Sequence, residues 1–239
     1  MKHTNFRRGV SMCALAFGLG ALTAPLSAQT MPDKIEQIGL MVQDMSNPFF
    51  SAMDKGAQEA AAAIGASVNT QDAQLDLSAQ YNQIDAFIQQ GVDLIVISAV
   101  DGAGIAPAIA KAKEAGIIVM AVDTPAEGAD AVIMTNAVQA GERSCEFLFE
   151  QMGGKGEVLL VDGTPIQTII DRISGCKTVA ERYPDIKIVG QQASKNDRAS
   201  GLAVTTDMLT ANPDVTGIFG MNDPSALGAV LAVEQAGKS

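Results

Sequence analysis

The sequence predicts an α/β protein of two doubly wound, parallel-sheet units. Three observations carry that prediction. Short apolar runs alternate with helical patterns from Ile35 onward. The runs are apolar throughout, as strands covered on both faces are. The alternation breaks once, near Thr135-Asn136, and then begins again. A βαβ series of this kind needs a parallel sheet with right-handed crossovers.

The first run, Ile38-Gly39-Leu40-Met41-Val42, hands over to polar Gln43, Asp44, Ser46 and Asn47. A helix over 48–64 follows, with Asn47 as N-cap and Pro48 at its first position, where a missing N–H costs nothing. Ala57, Ala60, Ala61 and Ile64 recur at helical spacing, and Gly65 ends the pattern. Next come a strand over 67–70 and a helix over 78–90 stopped by Gly91. A strand over 94–97, a helix over 105–115 closed by Gly116 and a strand over 117–122 complete the first series. Thr124-Pro125-Ala126-Glu127-Gly128 reads as a loop, followed by a short strand over 131–134.

In the second series, helices are expected over 141–151, 168–182, 198–209 and 226–236, and strands over 158–161, 186–191 and 215–219. The expected division is therefore one unit over 35–135 and a second over 136–239. No strand follows the last helix, so the second unit reads as incomplete.

Residues 1–28 read as a signal peptide. Lys2, Arg7 and Arg8 form a basic start, Val10 to Leu22 an apolar stretch too short to span a bilayer, and Leu26-Ser27-Ala28 a cleavage site. The leader holds three of the 16 basic residues and none of the 27 acidic ones, so the chain after it carries 13 against 27, a net charge of −14. Such a surface does not hold nucleic acid through its phosphates. The single histidine, His3, lies in the leader too. Without it the chain lacks the commonest general base, the Ser-His and Cys-His nucleophile pairs and most zinc site designs. Cys145 and Cys176 remain. An even count in an exported chain predicts one disulfide, with two small buried thiols as the alternative.

Polar residues follow each apolar run: Gln43 and Asn47 the first, Ser98 and Asp101 the third, Asp123 and Thr124 the fourth. Asn136 stands at the junction, Asp162 and Thr164 follow the run at 158–161, and Asn222 and Asp223 the run at 215–219. In doubly wound sheets ligands bind outside those strand ends. Two rings, Phe49 and Phe50, stand at the first of them. Adjacent helical residues point about 100° apart, so at least one ring is expected to face the crevice. A sugar or polyol alternates hydroxyls with apolar C–H patches, which planar polar side chains and flat rings match. Arg172, beside Asp171, offers a fork for two hydroxyls or a carboxylate, with a surface ion pair as the alternative.

Taken together, residues 38–50, 95–101, 119–123, Asp171-Arg172-Ile173-Ser174-Gly175, Asn212-Pro213-Asp214-Val215 and Phe219-Gly220-Met221-Asn222-Asp223, with Ala226-Leu227-Gly228 after them, resemble the periplasmic sugar-binding proteins of ABC transporters, the type I class typified by ribose-binding protein. The likeness runs from about residue 35 to the end of the chain. It implies two α/β domains joined by a hinge, closing on the ligand, and a non-enzymatic role with no cofactor or metal. It further implies an exported, periplasmic protein that captures a sugar or polyol and delivers it to the permease subunits of an importer.

Residue by residue, the resemblance implies ligand contacts from Asn47, Phe49, Phe50, Asp123, Arg172 and Asn222, with Gln43 facing the ligand. Ser98 stands where ribose binders have an asparagine, Thr124 where an arginine follows the aspartate, and Asn196 where a phenylalanine would lie. Those departures remove one charge and one ring from the ribose pattern and add small polar groups, which argues against ribose itself. Two other roles stay open: an exported sensory binder for a chemoreceptor or kinase sensor, and a binder of a non-sugar polar solute. An enzyme is disfavoured, because no Walker spacing or G-x-G-x-x-G occurs and no serine has a histidine partner. A DNA-reading headpiece and a calcium loop of the D-x-[DN]-x-[DN]-G pattern are equally missing from the sequence.

Overall fold

The computed structural model describes residues 34–238. The expected leader lies outside them.

Each apolar run became a strand and each periodic segment a helix. The first series comprises β1 (Gln37–Val42), α1 (Pro48–Ile64), β2 (Ser67–Asp72), α2 (Leu77–Gln90), β3 (Leu94–Ile97), α3 (Ala106–Glu114), β4 (Ile118–Val122) and β5 (Ala131–Ile133). The second comprises α4 (Ala137–Gln151), β6 (Lys155–Asp162), α5 (Gln167–Ala180), β7 (Asp185–Ala193), α6 (Arg198–Ala211), β8 (Gly217–Gly220) and α7 (Asp223–Gln235).

The strands form two sheets, ordered β2-β1-β3-β4-β5 and β7-β6-β8, in which every pair is parallel. In both, the chain starts in the interior, steps to one side and then crosses to the other. The crossing leaves a crevice at the carboxyl ends of β1 and β3 in one sheet and of β6 and β8 in the other.

Strand alternation assigns side chains to layers. Leu40 and Val42 of β1 pack with Phe50 under α1, whereas Met41 joins Ile84, Phe87 and Ile109 under α2 and α3. Val158 and Leu160 of β6 meet Cys145, Phe149 and Ile173 on α4 and α5, while Leu159 and Val161 meet Met208, Leu209 and Ala229 on α6 and α7. The helices of the second series cross closely. A β-carbon on Gly141 of α4 would stand 2.0 Å from the carbonyl oxygen of Arg172 on α5, and one on Gly175 2.1 Å from that of Val138. Cys145 and Cys176 are joined in the same crossing, with their Cα atoms 5.1 Å apart. The expected bridge is present.

Several boundaries differ from expectation. Helices α4 and α7 begin at Ala137 and Asp223, earlier than 141 and 226, because Asn136 and Asn222 are N-caps accepting from the N–H of Gln139 and Ser225. A cap is satisfied by backbone geometry, so the apolar pattern that reveals a helix starts only a turn later. Strand β6 begins at Lys155, earlier than 158, because its first residues pair with β7 whatever their polarity.

Candidate functional site

A cavity of about 600 Å³ lies between the carboxyl ends of the two sheets. Its first wall grows from the end of β1. Asp44 turns the chain by accepting from Ser46 N–H at 2.9 Å and Ser46 O–H at 2.8 Å. Asn47 then caps α1, its Oδ1 accepting from Phe49 N–H at 3.1 Å. The adjacent rings diverge as helical geometry requires, edge to face with centroids 5.1 Å apart. Phe49 is 48% exposed at the cavity, whereas Phe50 is 4% exposed and belongs to the core with Leu40 and Val42. Phe50 thus supports the wall rather than presenting a free face.

Behind the rings, Gln43 is buried and its Nε2 donates to Ala99 O at 2.8 Å and to Thr124 Oγ1 at 2.7 Å. Asp123 occupies the end of β4 in the left-handed region, φ 64°. Thr124 N–H donates to Val122 O at 2.7 Å across it, and Asp123 N–H to Ile133 O at 3.0 Å. A tight three-residue turn of this hand is strained for any residue with a β-carbon, and two backbone bonds hold it there. Ser98 Oγ and Thr124 Oγ1 each approach Asp123 Oδ2 at 3.5 Å, a weak hold that leaves the carboxylate available. Burial raises the Asp123 pKa, against the opposing pull of the Arg172 charge and of the Ser98 and Thr124 hydroxyls.

The second wall rests on the α4–α5 crossing. Arg172 emerges from α5 beside Gly141, and its Nη1 donates to Met221 O at 3.2 Å. Asn196 also has a positive φ, 67°, and its Oδ1 accepts from Thr164 N–H at 2.9 Å. Asn222 caps α7 and donates from Nδ2 to Asn196 O at 3.2 Å.

The structure brings Gln43, Asn47, Phe49, Phe50, Asp123, Arg172, Asn196 and Asn222 to this one cavity. Three residues expected at the ligand stand elsewhere. Ser98 and Thr124 are fully buried beneath the wall, where they hold Asp123 and Gln43. Asn136 has its side chain engaged in capping α4, outside the lining. Sequence reasoning missed Leu75, Ser144 and Thr168, which also line the cavity. Thr168 precedes Arg172 by one helical turn, a spacing that puts both on one face and could have found it. Leu75 carries no local signal.

The lining holds three carboxylates, Asp44, Asp123 and Asp223, and one guanidinium, Arg172. That balance disfavours an anionic ligand. Among the described residues no His, Cys, Asp or Glu cluster is arranged to hold a metal ion. The wall instead offers hydrogen-bond donors and acceptors around an exposed ring.

The family model described as "Periplasmic binding protein domain" matches residues 38–239. The ribose import binding protein RbsB of Bacillus subtilis (strain 168) is 33% identical over 204 residues, covering 84% of this chain. A xylitol-binding protein of Mycolicibacterium smegmatis is 29% identical over 236 residues, covering 97% of this chain. The chain spans 66% of the length of the first and 67% of the second. A crystal structure of an ABC transporter periplasmic solute binding protein from Actinobacillus succinogenes 130z with bound D-allose superposes with a TM-score of 0.80 at 32% identity, over 84% of this chain and 74% of that one.

Proposed function

Because the chain belongs to the periplasmic binding protein domain family, we propose that it captures an uncharged sugar or polyol between its two units and delivers it to an ABC importer. The observation that carries this reading is that one cavity takes Asp123 and Phe49 from the first unit and Arg172 and Asn196 from the second. The units divide at 135/136 in this reading.

The mechanism is capture by closure. Ligand hydroxyls donate to the Asp123 carboxylate and accept from the Arg172 guanidinium, and Phe49 covers a C–H face. Only the form in which both walls meet the ligand makes both sets of bonds, so ligand shifts the population toward it. The importer's permease subunits then recognise the closed surface. Chemistry is not required of any residue, in keeping with relatives named as binding proteins. The leader over 1–28 directs the chain to the periplasm, where the Cys145–Cys176 bridge persists.

A thermal-shift panel of D-ribose, D-allose, xylitol, tetritols, amino acids and nucleosides tests the reading. A ligand at a hundred times its Kd stabilises the folded state by about 2.7 kcal/mol, a clear rise in Tm. Stabilisation by amino acids or nucleosides, with every sugar and polyol silent, would overturn the substrate class.

A further inference from the structure

We infer that Leu75 is an apolar latch between the two units and sets how readily the cavity closes, whatever ligand it holds. The inference rests on the two-walled capture reading above. Leu75 belongs by backbone to the first unit, in the loop between β2 and α2, where its N–H donates to Gln43 O at 2.8 Å. Its side chain packs against the apolar cluster of the second unit, whose members Ile169, Phe219 and Met221 line the same cavity.

The loop is built to hold it there. Gln74 and Leu75 are consecutive residues at positive φ, 51° and 60°. A β-carbon makes that conformation unfavourable, and it persists only where the surroundings enforce it. Asp72 does so, accepting from Met45 N–H at 3.2 Å and Gln74 N–H at 3.0 Å, with Asp76 N–H bonded to Ala73 O at 2.9 Å. The strain aims one leucine out of its own unit and into the other.

The hydrogen bonds that organise the cavity do not perform this task. Those of Gln43, Asp123, Arg172, Asn196 and Asn222 each stay within one unit. Leu75 therefore favours the closed form before ligand arrives, through burial of apolar surface. That force is non-directional, so it discriminates between no two sugars. Raising the closed fraction strengthens apparent affinity for every ligand by one factor.

Spin labels on Glu114→Cys in the first unit and Glu181→Cys in the second report the separation of the units without ligand. Leu75→Ala is expected to move the ligand-free distance distribution to longer values, and Leu75→Met to restore it. The alanine variant should weaken binding of D-ribose, D-allose and xylitol by a common factor of about tenfold, for whichever of them the unsubstituted protein binds. An unchanged distance distribution overturns the latch. A loss that differs between sugars also overturns it, making Leu75 an ordinary pocket contact. If no sugar or polyol binds the unsubstituted protein, the functional reading falls while the distances still decide the role of Leu75.

Discussion

Asp123 and Arg172 line one cavity from opposite walls, and burial raises the Asp123 pKa by more than the guanidinium lowers it. The pair brings a charged acceptor and a charged donor to one ligand. Asp123→Asn keeps the shape and removes the charge. Hydrogen bonds to charged groups contribute about 1.5–3 kcal/mol, so calorimetry should show Kd rising by about 10- to 150-fold. Unchanged affinity would remove Asp123 from the site.

The same residue gives binding and folding opposite responses to pH. Burial raises its folded pKa, so its contribution to stability is complete below the unfolded value of 3.8 and is lost as pH rises through the raised folded value. Binding runs the other way, because protonation as pH falls through that raised value removes the charge and turns one accepting oxygen into a donor. Asp197 has its pKa lowered, chiefly by the Ser200 N–H it accepts. For Asp130, burial acts upward but is outweighed by Lys113 and the Val119 N–H, and the pKa is lowered. Both contribute stability above the ordinary aspartate value that is lost as pH falls through their lowered ones. Titrated between about pH 3 and pH 7, affinity should therefore decline before Tm does. A simultaneous decline would contradict the assignment.

Phe49 and Phe50 should separate binding from stability. Phe50→Ala empties a buried site and is expected to cost about 3–5 kcal/mol in denaturant unfolding. Phe49→Ala should change stability by less than about 0.5 kcal/mol and weaken binding by about 2- to 10-fold, the range of an aromatic contact. Equal losses of stability would mean that both rings are core.

Gly141 is where Arg172 is positioned. A β-carbon there would meet the Arg172 carbonyl at 2.0 Å, an obstacle of backbone that no rotamer relieves. Gly141→Ala is expected to destabilise by about 3 kcal/mol and to weaken binding as α5 is displaced. Gly56→Ala in α1, with nothing within 4 Å of the added carbon, is the control and should stabilise by about 0.5–1 kcal/mol. A mild Gly141→Ala would show that the helices separate freely.

The bridge between Cys145 and Cys176 braces the same crossing. In protein lacking residues 1–28, no thiol should titrate under denaturation without reductant. Replacing both cysteines by serine should lower stability by about 3–4 kcal/mol. Two titratable thiols would show the bridge unformed in solution.

By itself the sequence determined the order of strands and helices, the parallel sheets and the restart after Thr135. Those depend on local periodicity, caps and glycines, as at Asn47, Pro48 and Gly65. It also placed the polar residues at strand ends, because strands that stop in parallel sheets stop on one edge. Only the tertiary structure decided which of them meet solvent in the cavity. Ser98, Thr124 and Asn136 have the same local signature as Asp123. Yet the first two are drawn beneath the wall, Thr124 by Gln43, 81 residues earlier in the chain, and the third is engaged as a cap. Leu75 shows the same limit from the other side. Nothing adjacent to it marks its packing against the cluster that includes Ile169 and Met221, since burial of an apolar side chain is settled by surfaces that meet only once the chain has folded.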